Sequence, residues 1–278
     1  MKKFLLAAVF CAVSGLNAAA YFNGGLSQTT GPHGYSGANL DLVIGSGNLA
    51  FEPSFATYTS NDRSINGKTF RTYALRGEWE AKKCTLAGFA GATPEVNKYS
   101  NKFFGGDITF PLASGYRGHS RLAGPGASGS GIDVGAGLKR TIHTQTIGTV
   151  DKDTGQTEGS VFAGAKILML NVSASYTGYT YDAGQASAQN FIPGLNFELA
   201  AKPRSSVNVK LDLPGQPLLT PFVSYTGTKY KGGLADSSAY LLGAYIDLRI
   251  AAANVSYQIF DSGSGKDSFL SVGAGIKF

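Results

Sequence analysis

Cysteine is almost absent from this chain, with only Cys11 and Cys84 among 278 residues. Cys11 lies in an N-terminal apolar run, Phe4 to Val13, that reads as part of a removable leader, so a single thiol is left and no intramolecular disulfide can form. Small exported domains usually depend on such bridges, so this fold must be closed by other means. Charge is also scarce. Charged residues make up 15% of the sequence, and the formal net charge of +6 falls to +4 once Lys2 and Lys3 leave with the leader. A balance that weak and scattered excludes a nucleic-acid footprint. Histidine occurs three times (His33, His119, His143), and neither an H-E-x-x-H nor a G-x-S-x-G motif is present. These signatures of zinc hydrolases and of the nucleophile elbow are missing, and no cofactor motif replaces them. After the leader no apolar run reaches 18 residues, so the chain does not cross a bilayer as a helix.

What the chain has instead is glycine (38), phenylalanine (17) and tyrosine (14). Residues 1–20 have a basic start, an apolar core about ten residues long, and Ala18 and Ala20 in an A-x-A pattern. That is the layout of a secretory signal peptide, and its core is too short for the roughly 20 residues a spanning helix needs. At the opposite end Leu270, Val272, Ala274, Ile276 and Phe278 alternate with Ser271, Gly273, Gly275 and Lys277. A period of two that runs to the last residue fits a strand with lipid on one side and a polar or small-residue interior on the other. Here the sequence resembles bacterial outer-membrane β-barrel proteins, whose last strand commonly ends in phenylalanine. The resemblance implies that Phe278 is a signal for the barrel-assembly machinery, that outer-membrane lipid surrounds the protein, and that residues 21–278 form one all-β, antiparallel up-and-down transmembrane barrel. A closed barrel has no free strand edges and needs no disulfide.

Alternation recurs along the whole mature chain. Val207, Val209, Leu211 and Leu213 face away from Ser206, Asn208, Lys210 and Asp212, and Ile132, Val134, Ala136 and Leu138 face away from Asp133, Gly135, Gly137 and Lys139. Phe191, Pro193, Leu195, Phe197 and Leu199 alternate in the same way with Asn190, Gly194, Asn196 and Glu198. Turn residues such as Asn66-Gly67 and Lys231-Gly232-Gly233 separate the segments. Fifteen segments can be drawn, the tenth over 190–200, whereas bacterial single-chain barrels have an even number. Fourteen strands are expected, with 12 and 16 open. Either segment 21–28 does not span, or 141–150 hides another strand.

The face opposite the apolar one should point into the barrel. This gives Arg76, Glu78, Asp107, Asp133, Lys139, Lys166, Glu198, Lys210, Asp212, Asp247 and Arg249 as pore-lining candidates of nearly balanced sign. A long Gly/Ser-rich segment, 112–131, holds Arg117, His119 and Arg121. In the porins the chain resembles, a long loop folds into the lumen, which would put these three residues at a constriction. A loop outside the cell is the other reading. A second polar stretch, 143–159, contains Asp151-Lys152-Asp153-Thr154-Gly155, which lacks the far ligand a calcium loop requires. The sequence therefore points to a porin-like channel for small hydrophilic solutes, with no catalytic residue, metal or cofactor. A plugged structural or adhesive barrel and a barrel enzyme remain as alternatives, and homo-oligomerisation is left open.

Overall fold

The structure, a computed structural model, describes residues 20–61, 67–112, 131–167, 169–191, 198–213, 218–248 and 250–277; the side chains of 20, 191 and 198–200 are not among those described. Among the described residues no helix is found. The strands are β1 (Ala20–Thr30), β2 (Ser36–Ser46), β3 (Leu49–Thr59), β4 (Phe70–Glu80), β5 (Thr85–Val96), β6 (Tyr99–Pro111), β7 (Gly131–Ile147) and β8 (Val150–Ile167). They continue with β9 (Leu170–Tyr181), β10 (Gln189–Phe191), β11 (Glu198–Ala200), β12 (Pro203–Asp212), β13 (Leu219–Tyr230), β14 (Ser237–Asp247), β15 (Ala251–Asp261) and β16 (Lys266–Lys277).

Fourteen of these close an antiparallel barrel, each strand paired with its sequence neighbour except where β9 pairs directly with β12. Closure comes from β1 against β16, in register from Asn23↔Lys277 to Thr30↔Leu270. The alternating C-terminal residues are thus a paired wall strand, which satisfies backbone groups that would otherwise be an open edge. Two-residue turns set several registers. Asn97 and Lys98 both have positive φ (54° and 64°), the type I′ geometry whose twist matches that of a hairpin.

The barrel is built inside out relative to a soluble protein. Large apolar side chains are bare on the outside, with Leu138 66% and Leu242 63% exposed, while Glu52 and Glu78 are 2% exposed on the inside. An exposed apolar surface encircling the molecule costs heavily in water and is at home in hydrocarbon. Neighbours across the wall keep faces matched: Val209 opposes Tyr225 outside, and Lys210 opposes Ser224 inside. A cysteine at position 209, in a Cys84→Ser background, should therefore resist a water-soluble maleimide in intact membranes, whereas one at 210 should react. Equal labelling would overturn the facing.

The structure corrects two expectations. The surplus segment is 190–200, not 21–28: the described part forms two three-residue strands that pair with each other outside the wall, Gln189↔Ala200 to Phe191↔Glu198. No extra strand hides in 141–150 either, since the stretch read as a polar loop extends β7 and β8 to 17 and 18 residues, paired out to Ile147↔Val150. Aromatic side chains also lie inside the barrel. Tyr35, Tyr58, Phe70, Tyr99, Phe260 and Phe269 are buried in one cluster at the end of the barrel away from the termini.

Candidate functional site

The lumen is lined by the inward set of each strand, and its openness depends on how the bulky members lie. Phe103 lies over Gly91, Phe89 over Gly105 and Phe162 over Gly135, each ring occupying the space that a side chain on the neighbouring strand would need. Rings that lie along the wall over glycines do not reach across the barrel. This pairing keeps these three rings out of the middle of the 14-stranded barrel.

Between the rims the inward face carries Arg76, Lys139, Lys166 and Lys210 against Asp41, Glu52, Glu78, Asp107, Asp133, Glu158 and Asp212. Carboxylates outnumber cations here. Arg76 on β4 is the centre of one group: its Nε donates to Glu78 Oε1 at 2.7 Å, and its two terminal nitrogens donate to Asp107 Oδ2 and Oδ1 at 2.7 and 3.0 Å. Glu52 Oε2 lies 4.0 Å away. The fork geometry of arginine suits this, because one guanidinium neutralises carboxylates from three strands at once. Lys139 pairs with Glu158 at 2.9 Å, and Lys210 with Asp212 at 2.9 Å beneath the rings of Phe222 and Tyr245. The side chains of Lys139 and Lys210 are 32% and 30% exposed, so water reaches these pairs.

Of the residues expected to line a pore, Arg76, Glu78, Asp107, Asp133, Lys139, Lys166, Lys210 and Asp212 lie on the inward face, and Asp247 lies at the rim shared with the termini, 2.5 Å from Lys277 Nζ. Glu198 is a correction: it belongs to β11, which is not part of the wall. Arg249, Arg117, His119, Arg121 and Phe278 fall outside the described residues. The segment that carries Arg117 and Arg121 connects β6 to β7, and Leu112 bonds Ile132 at the same end of the barrel as β1 begins and β16 finishes. Asp41, Glu52 and Glu158 were missed. Each sits on the inward face of an alternating strand, so the period-two pattern was sufficient to find them.

Another element packs against the inner face of the barrel. β8 and β7 rise past the end of β9, and residues 186–190 of the segment that follows β9 pack on their inner face. Asp182 at its start is pinned outside by Arg140, whose hydrogen bonds hold the Asp182 carboxyl below its ordinary range. The chain then crosses inward. Thr154 Oγ1 donates to Ala186 O at 2.9 Å, Ser187 N donates to Gln145 Oε1 at 2.9 Å, and Gln156 Nε2 donates to Asn190 Oδ1 at 2.7 Å. Gln156 is the hub, since it also donates to Glu158 and meets His143 Nε2 at 3.2 Å, while His143 Nδ1 lies 2.7 Å from the Tyr99 hydroxyl. Asp151 and Asp153 of the calcium-like spacing instead accept hydroxyl bonds from Thr146 and Thr144.

No family model matches the sequence, and no curated protein sequence matches it. Among solved structures the barrel is similar to CymD, described as a monoaromatic hydrocarbon channel, with a TM-score of 0.54 and 7% identity over 95% of this chain and 89% of that one. It is also similar to CdiB from Acinetobacter baumannii, with a TM-score of 0.52 and 9% identity over 93% of this chain. The chain spans 60% of the length of CdiB. At such identities the likeness concerns the fold alone: a closed antiparallel barrel, built of 14 strands in this chain.

Proposed function

We propose that this protein is an outer-membrane channel through which small hydrophilic solutes diffuse, exported by a cleaved signal over residues 1–20 and inserted by the barrel-assembly machinery through a signal that includes Phe278. One observation carries the reading. Phe89, Phe103 and Phe162 lie along the wall over glycines, and the inward Lys139–Glu158 and Lys210–Asp212 pairs stay partly exposed to water instead of sealed in a packed core. A barrel filled by structural packing would have its lysines fully enclosed, because an incompletely solvated charge must find complete compensation from the protein. The termini face the periplasm in this reading, so the aromatic cluster and the inward-packed residues 186–190 lie at the external mouth. No step of chemistry is assigned.

The surplus of carboxylates over cations between the rims sets the selectivity. In planar bilayers the purified protein should give single channels with a weak cation preference in dilute salt. That preference fades near 1 M, where the Debye length is about 3 Å. Absence of channels at every salt concentration would reject the proposal in favour of a plugged structural barrel, and an anion preference would show that arginines of 113–130 dominate the passage.

A further inference from the structure

At one corner of the rim away from the termini, β9 and β12 part. β9 stays on β8 up to Gln156↔Tyr181, whereas its pairing with β12 stops at Gly178↔Ser205. Tyr181 shares the inward face with Gln156, and the outward apolar residues of β9 end at Tyr176, so its ring stands at the mouth above the lipid band. Two ammonium groups converge on that ring: Lys202 Nζ lies 5.7 Å from its centroid and Lys231 Nζ 5.0 Å. Both arrive from the β12–β13 side, where Lys231 N donates to Lys202 O at 2.8 Å. Lys202 is half-buried, and the inward-packed segment sets its place, because Gln156 holds Asn190 and Asn190 donates to the carbonyl of Ala201 beside it. An ammonium is drawn to the face of a tyrosine, but two on one ring repel each other. Among the described side chains neither lysine forms an ion pair with a carboxylate. The inward Glu158 is taken by Lys139 at 2.9 Å and by Gln156 at 3.0 Å, and Asp182 is taken by Arg140.

We propose that Lys202 and Lys231 form a binding site at the mouth for one small dianion, a phosphate or a dicarboxylate. The shared chemistry is two negative charges carried on oxygen atoms. Lysine is a compact point charge with rotatable donors, so the pair selects by charge more than by shape. A phosphate group, at about −1.5 to −2 near pH 7, matches two ammonium groups and relieves their repulsion. A monocarboxylate leaves one of them uncompensated. The inference goes beyond the channel reading, uses it only to call this rim external, and does not require conduction.

The full-length mature protein in detergent can be titrated with inorganic phosphate, followed by phosphorus NMR line broadening, and with succinate and acetate, followed by calorimetry. One dianion per barrel is expected, with a dissociation constant of about 1 mM or tighter, and acetate should bind at least about tenfold more weakly. The tighter of phosphate and succinate names the source. Lys202→Gln and Lys231→Gln should each weaken the dianion about tenfold. Lys231→Arg keeps the charge and should stay within about threefold of wild type. Lys229→Gln removes an exposed lysine that lies opposite Ser205 on the outward face, and it should change binding less than about twofold. Heat modifiability checks that each variant is folded. Failure of wild type to bind either dianion would overturn the proposal, as would acetate binding as tightly. An equal loss from Lys229→Gln would mean diffuse surface charge and would overturn it too. Conductance measured on the same samples separates the two readings. A barrel that binds the dianion and never conducts sinks only the channel, and one that conducts and binds none sinks only the anion site.

Discussion

Replacing Arg76 with methionine should destabilise the barrel by about 3 to 5 kcal/mol, the range seen when one partner of a buried ionic group is removed. The size of the effect follows from what stays behind. Glu52 and Glu78 are each 2% exposed, and with Asp107 they surround the one guanidinium. Without it, three carboxylates on β3, β4 and β6 face one another in a confined space, and they must either take up protons or separate the strands. Arg76→Lys should fall between wild type and Arg76→Met, because it keeps the charge and loses the bidentate bond to Asp107. Urea unfolding in lipid vesicles measures this. Adding Glu78→Gln and Asp107→Asn to Arg76→Met should recover much of the loss, since only the Glu52 carboxylate of the three then remains. An Arg76→Met barrel that unfolds at the wild-type urea concentration would show that water already screens the cluster.

The second large effect is on conductance. Gln156→Ala removes the hub that ties Asn190 to the inner wall and leaves Thr154–Ala186 and Gln145–Ser187 as the tethers of the connection. Replacing Gln156 and Asn190 together should raise single-channel conductance about twofold or more, because the free cross-section at the narrowest point limits ion flow. Asn190 also donates to Ala201 O at 2.9 Å, so the double replacement loosens the connection at both ends. Urea stability should fall as well, because Gln156 also bonds Glu158 and the buried His143 within the wall, so conductance is read on barrels shown to be folded by heat modifiability. Conductance that stays at the wild-type value, with the connection shown to be loosened by protease sensitivity near residue 190, would place the constriction elsewhere, in residues 113–130 or among the mid-wall charges.

Several features needed no structure. The facing of Val209 and Lys210, of Leu138 and Lys139, and of the final strand follows from alternation alone, because successive side chains of a strand point to opposite faces and only one face meets lipid. Scarce charge, scarce cysteine and an alternating last segment together pointed to a closed barrel, and fourteen strands satisfied the even count that fifteen segments could not. Which segment to discard was decided only in three dimensions. Residues 190–200 alternate as well as any wall strand, and what removes them is that β9 and β12 pair with each other in register from Gly178↔Ser205 to Asn171↔Asp212. Period two reports the two faces of a strand and carries no information about its neighbours. The same limit hid the inward aromatics: a phenylalanine can face a wet lumen when a glycine lies beside it on the adjacent strand, as Phe103 does with Gly91, and that adjacency is a property of register. Identity along one strand determined what faces lipid, while pairing across strands decided what narrows the lumen and where the charges meet.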